Sequence, residues 1–183
     1  ISVTAIGLEK EVNIVKRSGA KPNDLLVVTG DLGGAYLGLQ ILEREHSVFL
    51  ANPNMQPEME GFDYILERQL KPEARTDIKK KLEELDILPT SMIDVSDGLA
   101  SEVLHLSDQS KVGFNVYEEK LPMDETMIHT ADELNLNPAM AALNGGEDYE
   151  LLFTISSSDF DKIKNHPDFT IIGHATETNA GNF

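Results

Sequence analysis

Apolar and polar positions along this 183-residue chain switch repeatedly between a period of two, which marks strands, and apolar positions three and four apart, which mark helices. The opening run Ile1-Ser2-Val3-Thr4-Ala5-Ile6 alternates and predicts a strand, followed by a charged connection over 7–15. Leu25-Leu26-Val27-Val28 predicts a buried strand ending at Thr29-Gly30-Asp31-Leu32-Gly33-Gly34, with a helix from about Ala35 to Arg44. Residues 51–61 hold two prolines, two asparagines and no period, which predicts a loop. Phe62, Ile65, Leu66 and Leu70 form a helical stripe that breaks near Pro72 and resumes at Ile78, Leu82 and Leu85.

Ser91 to Ser96 reads as a short strand, followed by a helix with Leu99, Val103 and Leu106 on one face. Val112, Phe114 and Val116 alternate as a strand, and Met127, Ala131 and Leu134 mark a further helix. Tyr149, Leu151, Phe153 and Ile155 alternate again. Ser158, with Asp161 three residues on, suits the cap of a short helix before a last strand at Phe169–Ile172. Strands interleaved with helices place the chain in the α/β or α+β class. The turn-rich segment Arg17-Ser18-Gly19-Ala20-Lys21-Pro22-Asn23-Asp24 is the best domain boundary. Residues 1–16 are then expected to end a preceding domain and connect it to a domain over 17–183. Strand-like runs close to both ends suggest an excised piece, truncated at its C-terminus.

Composition narrows the class. Apolar residues make up 40% and charged residues 26%, as in ordinary globular domains. Cysteine is absent, which excludes disulfides and thiolate metal sites and fits a reducing cytoplasm. No apolar run approaches the roughly 18 residues of a membrane span. Fifteen Lys and Arg against 32 Asp and Glu give a formal charge of −17. A nucleic acid would be repelled by that balance. A phosphate ligand would need a divalent cation held by carboxylates to supply positive charge.

Three segments carry candidate chemistry. In Ile93-Asp94-Val95-Ser96-Asp97-Gly98-Leu99, alternation puts Asp94 and Ser96 on the face opposite Ile93 and Val95. Asp97 follows at the start of a helix, where Gly98 admits a close ligand. Oxygen-bearing side chains at a strand end beside a helix N-terminus favour phosphate, and a hard cation such as Mg²⁺ would bridge the carboxylates to it. The bland alternative makes Asp97 an N-cap, Ser96 a turn residue and Asp94 a surface residue. Asn144-Gly145-Gly146-Glu147-Asp148-Tyr149-Glu150 sets carboxylates after a glycine pair, which suits a ligand loop or an ordinary connection. Arg17 beside a glycine turn suits either a phosphate contact or a surface arginine. Gly30 to Gly34 breaks the dinucleotide pattern and reads as a tight turn. The spacing of Glu102 and His105 lacks the second copy a two-metal helical site needs, so both read as surface residues. No P-loop and no protein-kinase signature is present.

Taken in order, five segments resemble the thiamine-monophosphate kinase family: Ser2-Val3-Thr4, Arg17 to Pro22, Val27 to Gly33, Ile93 to Leu99, and Gly145-Gly146-Glu147-Asp148-Tyr149-Glu150-Leu151-Leu152-Phe153-Thr154. That family is similar to aminoimidazole ribonucleotide synthetase and the hydrogenase-maturation proteins. The resemblance implies an α+β sandwich, with the mixed sheet and packed helices of that superfamily's C-terminal domain. It implies transfer of the γ-phosphoryl of ATP to thiamine monophosphate, and it leaves a homodimer of the intact enzyme open. By family pattern Asp94 and Asp97 bind Mg²⁺, Ser96 and Arg17 contact ATP, and Glu147 faces the substrate. Most family metal ligands belong to an N-terminal half, and a substrate-facing aromatic falls beyond Phe183. Gln69-Leu70-Lys71-Pro72-Glu73-Ala74-Arg75 departs from the family's His-x-Arg-Pro-x-Pro-Arg, so no role is carried onto it. The alternatives are another ATP-dependent member of the superfamily and a non-catalytic binding domain.

Overall fold

In the computed structural model, which describes residues 2–4 and 6–183, five strands form one sheet in the order β2-β4-β1-β5-β3. The strands are β1 (Leu25–Thr29), β2 (Ser91–Asp94), β3 (Gly113–Val116), β4 (Leu151–Ile155) and β5 (Phe169–Thr176). All four strand pairings are antiparallel, and the parallel component expected of a mixed sheet is confined to one bridge, Phe114–Asn182. The helices are α1 (Gly34–Ala51), α2 (Asp63–Leu70), α3 (Asp77–Glu84), α4 (Leu99–Ser110), α5 (Glu125–Glu133), α6 (Pro138–Asn144) and α7 (Phe160–Ile163). The α+β class stands.

Alternation along the strands divides the core in two. Leu26, Val28, Ile93, Phe114, Leu152 and Ile172 point to one face, where α1, α2, α4, α5 and α6 bury Leu37, Ile41, Ile65, Leu99, Leu106 and Met127 against them. Val27, Phe153, Ile155 and Phe169 point to the other, where α3 and α7 supply Ile78, Leu82 and Ile163. The helical stripe broken at Pro72 therefore serves two layers: α2 covers one face of the sheet and α3 the opposite one. Gly38 lets α1 approach α2 closely, because a Cβ there would collide with the Ile65 carbonyl.

Four expectations change. Residues 2–4 carry neither helix nor strand, while Ile1 and Ala5 lie outside the described residues. α1 runs on to Ala51, seven residues past Arg44. The first turn near 158 is capped by Ser156, whose side chain accepts from the Ser158 N–H, so Ser158 is capped rather than capping. α6 has no counterpart in the hydrophobic periodicity. Its signals are local: Asn137 accepts from the Met140 N–H as N-cap, and Pro138 occupies the first turn.

Candidate functional site

β2 ends at Asp94, but its pairing continues beyond the regular ladder. The Val95 N–H donates to the Glu150 carbonyl (2.7 Å), the Tyr149 N–H to the Val95 carbonyl (2.9 Å) and the Glu147 N–H to the Ser96 carbonyl (2.8 Å). The two acidic motifs, some fifty residues apart in sequence, thus lie side by side at one end of the sheet. Two glycines interlock them. A Cβ on Gly146 would stand 2.7 Å from the Ser96 carbonyl, and one on Gly98 would stand 3.1 Å from Asn144 and the Leu143 carbonyl. Both have positive φ, +70° and +110°, where a side chain is strained whatever the space. α6 delivers the chain into this joint, which is why its local capping signals matter to the site.

Asp94, Asp97 and Glu147 are exposed, and Ser96 is half-buried. Asp97 is not a side-chain cap. α4 begins at Leu99 with Gly98 as its N-cap residue and no side-chain cap bond. Instead the Asp97 N–H donates to Glu102 Oε1 (3.2 Å), so its carboxylate stays free for other work. Glu102 is 2% exposed, which corrects its reading as a surface residue; the exposed neighbour is His105. Helical spacing places Glu102 near Leu99 and Leu106, on the buried face, and it reaches back to the backbone entering the helix. Among the described residues, the Asp94 and Asp97 carboxylates make no hydrogen bond or ion pair, and no third His, Cys, Asp or Glu joins them in a metal-holding group.

Arg17 sits elsewhere. The Lys16 carbonyl accepts from the Met92 N–H (2.9 Å), while the Gly19 and Ala20 N–H groups donate to Ser110 Oγ at the C-terminal end of α4. Arg17 therefore flanks the edge of β2, between Met92 and the end of α4. Its side chain is exposed.

Behind the exposed acids lies a buried charge network that sequence reasoning missed. Asp148 and Glu150, 3% and 2% exposed, point into the molecule. Asp148 accepts from the Gly33 N–H (2.8 Å) and Ala35 N–H (3.4 Å), taking the place of a cap on α1, and stands 3.8 Å from the Arg68 guanidinium. Glu150 Oε1 pairs with Arg68 (3.1 Å), and its Oε2 accepts from Arg75 and from the Thr29 hydroxyl. Gly30 is obligatory beside it, since a Cβ there would collide with the Glu150 carboxylate. Two buried carboxylates face two arginines, of which Arg75 also pairs with the more exposed Asp77 (3.1 Å) and Asp168 (3.7 Å). Removing one arginine would leave a buried charge uncompensated, at a cost of about 3–5 kcal/mol. Tyr64 donates to Asp31 Oδ1 (2.5 Å), and that burial and bond push its phenol well above the usual range. Arg75, in the segment given no role, is therefore structural at least. The missed signal was the pair Arg68 and Arg75 bracketing Pro72 in an otherwise acidic chain.

The Glu147–Glu150 segment is folded against preference. Glu147 (φ 61°) and Tyr149 (φ 53°) are both left-handed, at a cost of order 1–3 kcal/mol each for residues with side chains. The inversions turn Glu147 and Tyr149 toward Val95–Asp97 and send Asp148 and Glu150 inward. The Tyr149 hydroxyl donates to Glu147 Oε2 (2.8 Å). That bond, the Glu147 charge beside it and the more distant Asp94 and Asp97 charges raise the Tyr149 pKa, so the phenol stays protonated.

An antiparallel sheet backed by helices, with an acidic edge at one end, defines the class of domain, and comparison agrees on the fold. Residues 21–183 match the family described as AIR synthase related protein, C-terminal domain, and the chain belongs to that family. Within it the chain is similar to the thiamine-monophosphate kinases of Buchnera aphidicola (34% identical, 99% of this chain and 54% of that protein) and Aquifex aeolicus (36% identical, 84% and 46%). It spans about half the length of these curated relatives. A solved structure described as AaThiL complexed with AMPPCP and TMP superposes with a TM-score of 0.75 at 31% identity, covering 92% of this chain and 50% of that one. The hydrogenase maturation protein HypE of E. coli shares the fold, with a TM-score of 0.61 at 17% identity. Among the described residues no helix is long and apolar enough to cross a membrane.

Proposed function

We propose that this chain forms about half of an ATP- and Mg²⁺-dependent kinase that converts thiamine monophosphate to thiamine diphosphate in the cytoplasm. The observation that carries the reading is the joint between the two acidic motifs. It gathers Asp94, Ser96, Asp97 and Glu147 at one sheet end, in a chain whose relatives at 31–36% identity are thiamine-monophosphate kinases. AMPPCP is an ATP analogue, and TMP in that relative's description stands for thiamine monophosphate. Residues 1–16 fit a connection to a preceding domain, since Ile6, Leu8 and Val12 are apolar side chains left uncovered.

Asp94 and Asp97 offer a hard, oxygen-only donor set with no competing partner, which suits Mg²⁺. The ion would offset phosphate charge, with its remaining positions filled by water, phosphate oxygens and the other half of the protein. Ser96 lies between Asp94 and Asp97 in sequence and would hydrogen-bond nucleotide phosphate. Arg17 comes from the strand edge, so its contact with ATP would fall on a different part of the nucleotide. Glu147 carries a negative charge and is unsuited to a phosphate, so it faces the cationic, amine-bearing organic part of thiamine monophosphate. A phosphate oxygen of the substrate attacks the γ-phosphorus as the bond to the ADP oxygen breaks. The nucleophile is already ionised, so no side chain is needed as base, and alignment with charge neutralisation carries the step.

Asp94→Asn and Asp97→Asn in the full-length kinase test this. Each is expected to raise the Mg²⁺ concentration for half-maximal activity and to lower kcat/KM, with little change in Tm. If neither substitution moves the Mg²⁺ dependence or the rate, the assignment fails.

A further inference from the structure

Left-handed backbone at two neighbouring non-glycine positions persists only where the surroundings over-determine it. Glu147 and Tyr149 face Val95–Asp97, held by their own N–H groups on the Ser96 and Val95 carbonyls. Between and after them, Asp148 is fastened to the start of α1, and Glu150 to Arg68, Arg75 and Thr29. Arg68 ties the two anchors together, because its guanidinium also donates to the Asp148 carbonyl (3.3 Å). The exposed carboxylate at the end of this arrangement, Glu147, would otherwise be free to rotate, but the Tyr149 hydroxyl holds its Oε2.

We propose that Tyr149, Asp148 and Glu150 are positioning residues for Glu147: Tyr149 fixes its carboxylate directly, while Asp148 and Glu150 pin the inverted backbone from below. The proposal rests on the reading of Glu147 as the group facing the organic part of the substrate. It assigns work to residues that the proposed nucleotide and metal contacts do not include. Their loss should therefore appear in one kinetic parameter set and spare the other.

Steady-state kinetics of the full-length kinase separate the possibilities. Tyr149→Phe removes one hydroxyl from a partly exposed residue and keeps the ring, so folding is not at stake. It should raise KM for thiamine monophosphate roughly tenfold, the loss of a hydrogen bond to a charged group. KM for ATP and the half-maximal Mg²⁺ concentration should stay within about twofold. Glu150→Gln should act in the same direction. In a Glu147→Gln background, Tyr149→Phe should add less than a further twofold, since it acts through the carboxylate already removed. A penalty that adds in full, an equal rise in KM for ATP, or a lower Tm with unchanged KM values would overturn positioning and leave the segment as scaffold. The two readings also fail separately. If Glu147→Gln leaves thiamine monophosphate kinetics unchanged, the substrate assignment falls and positioning with it. If Glu147→Gln impairs them but Tyr149→Phe does not, only positioning falls.

Discussion

Asp148 is an interior carboxyl whose burial raises it to about 6, although the Gly33 N–H, Arg68 and the Ala35 N–H each pull it down. Its unperturbed value is 3.8, so between those values the folded chain holds the proton more tightly than the unfolded chain. The stability it contributes is fully present below 3.8 and is lost as pH rises through 6. Two units correspond to about 3 kcal/mol. Asp77, held well below the usual carboxylate range by Arg75 and Lys81, works in the opposite sense: its contribution is present above 3.8 and is lost as pH falls further. It is largely solvated, so its effect is smaller. Asp148→Asn should flatten the urea midpoint of the chain between pH 4 and pH 6.5 relative to the parent. A midpoint that shifts in parallel at every pH would show that this carboxyl does not titrate there. The same stretch marks a boundary of what sequence reveals at this scale. The apolar alternation of Leu151, Phe153 and Ile155 extends formally to Tyr149, and by that period Tyr149 belongs to the strand. The left-handed φ at Tyr149 breaks the period, and nothing in its side chain announces that. Among the groups that fasten this segment are Arg68 and Arg75 on Glu150, more than seventy residues away.

Elements with a long apolar period were legible. Leu26 and Val28 in β1, the Leu99, Val103 and Leu106 stripe of α4 and the core of β4 all bury as the pattern predicts. α6 was not, because its seven residues are mostly small and its helix signal sits in one cap and one proline. β5 runs to Thr176, beyond Ile172, because Gly173 and His174 interrupt the alternation without interrupting the ladder to β1 and β3. For the candidate site the types and order of Asp94, Ser96, Asp97 and Glu147 were readable, but their juxtaposition depends on how α6 enters the joint. Gly146 tests that joint. Gly146→Ala adds a methyl 2.7 Å from the Ser96 carbonyl and 3.2 Å from Asp97 at a φ of +70°. Gly61→Ala meets the same kind of backbone penalty (φ +87°) but nothing within 4 Å. Gly61→Ala should therefore cost about 1–2 kcal/mol in urea unfolding, and Gly146→Ala clearly more, with a loss of Mg²⁺-dependent activity in the full-length kinase that Gly61→Ala does not share. Equal costs would mean that the two motifs are not held by this contact.

At the scale of the whole molecule, charge and the donor set point the same way. The chain carries −17; its arginines at 68 and 75 are committed to Asp148 and Glu150, and the candidate ligand face presents Asp94, Asp97 and Glu147. A triphosphate approaching that face meets three exposed carboxylates, with Arg17 displaced along the β2 edge. On the proposed reading a divalent cation would have to offset that charge, yet two carboxylates make a poor cage for an ion that favours six oxygen ligands. In phosphoryl transfer, positioning and charge neutralisation supply most of the rate. If the proposed division of the site holds, this chain alone would lack both. The chain on its own, given ATP, Mg²⁺ and thiamine monophosphate, is expected to form no thiamine diphosphate above background, while unfolding cooperatively around its two core clusters. Mg²⁺ titration of the isolated chain should show only weak binding, abolished by Asp94→Asn. Adding the remaining half of the protein should restore both tight binding and turnover. Thiamine diphosphate produced by the pure chain at a rate comparable to the full-length protein would mean that this domain holds a complete site, and the division of labour argued from Asp94, Asp97 and Glu147 would be wrong.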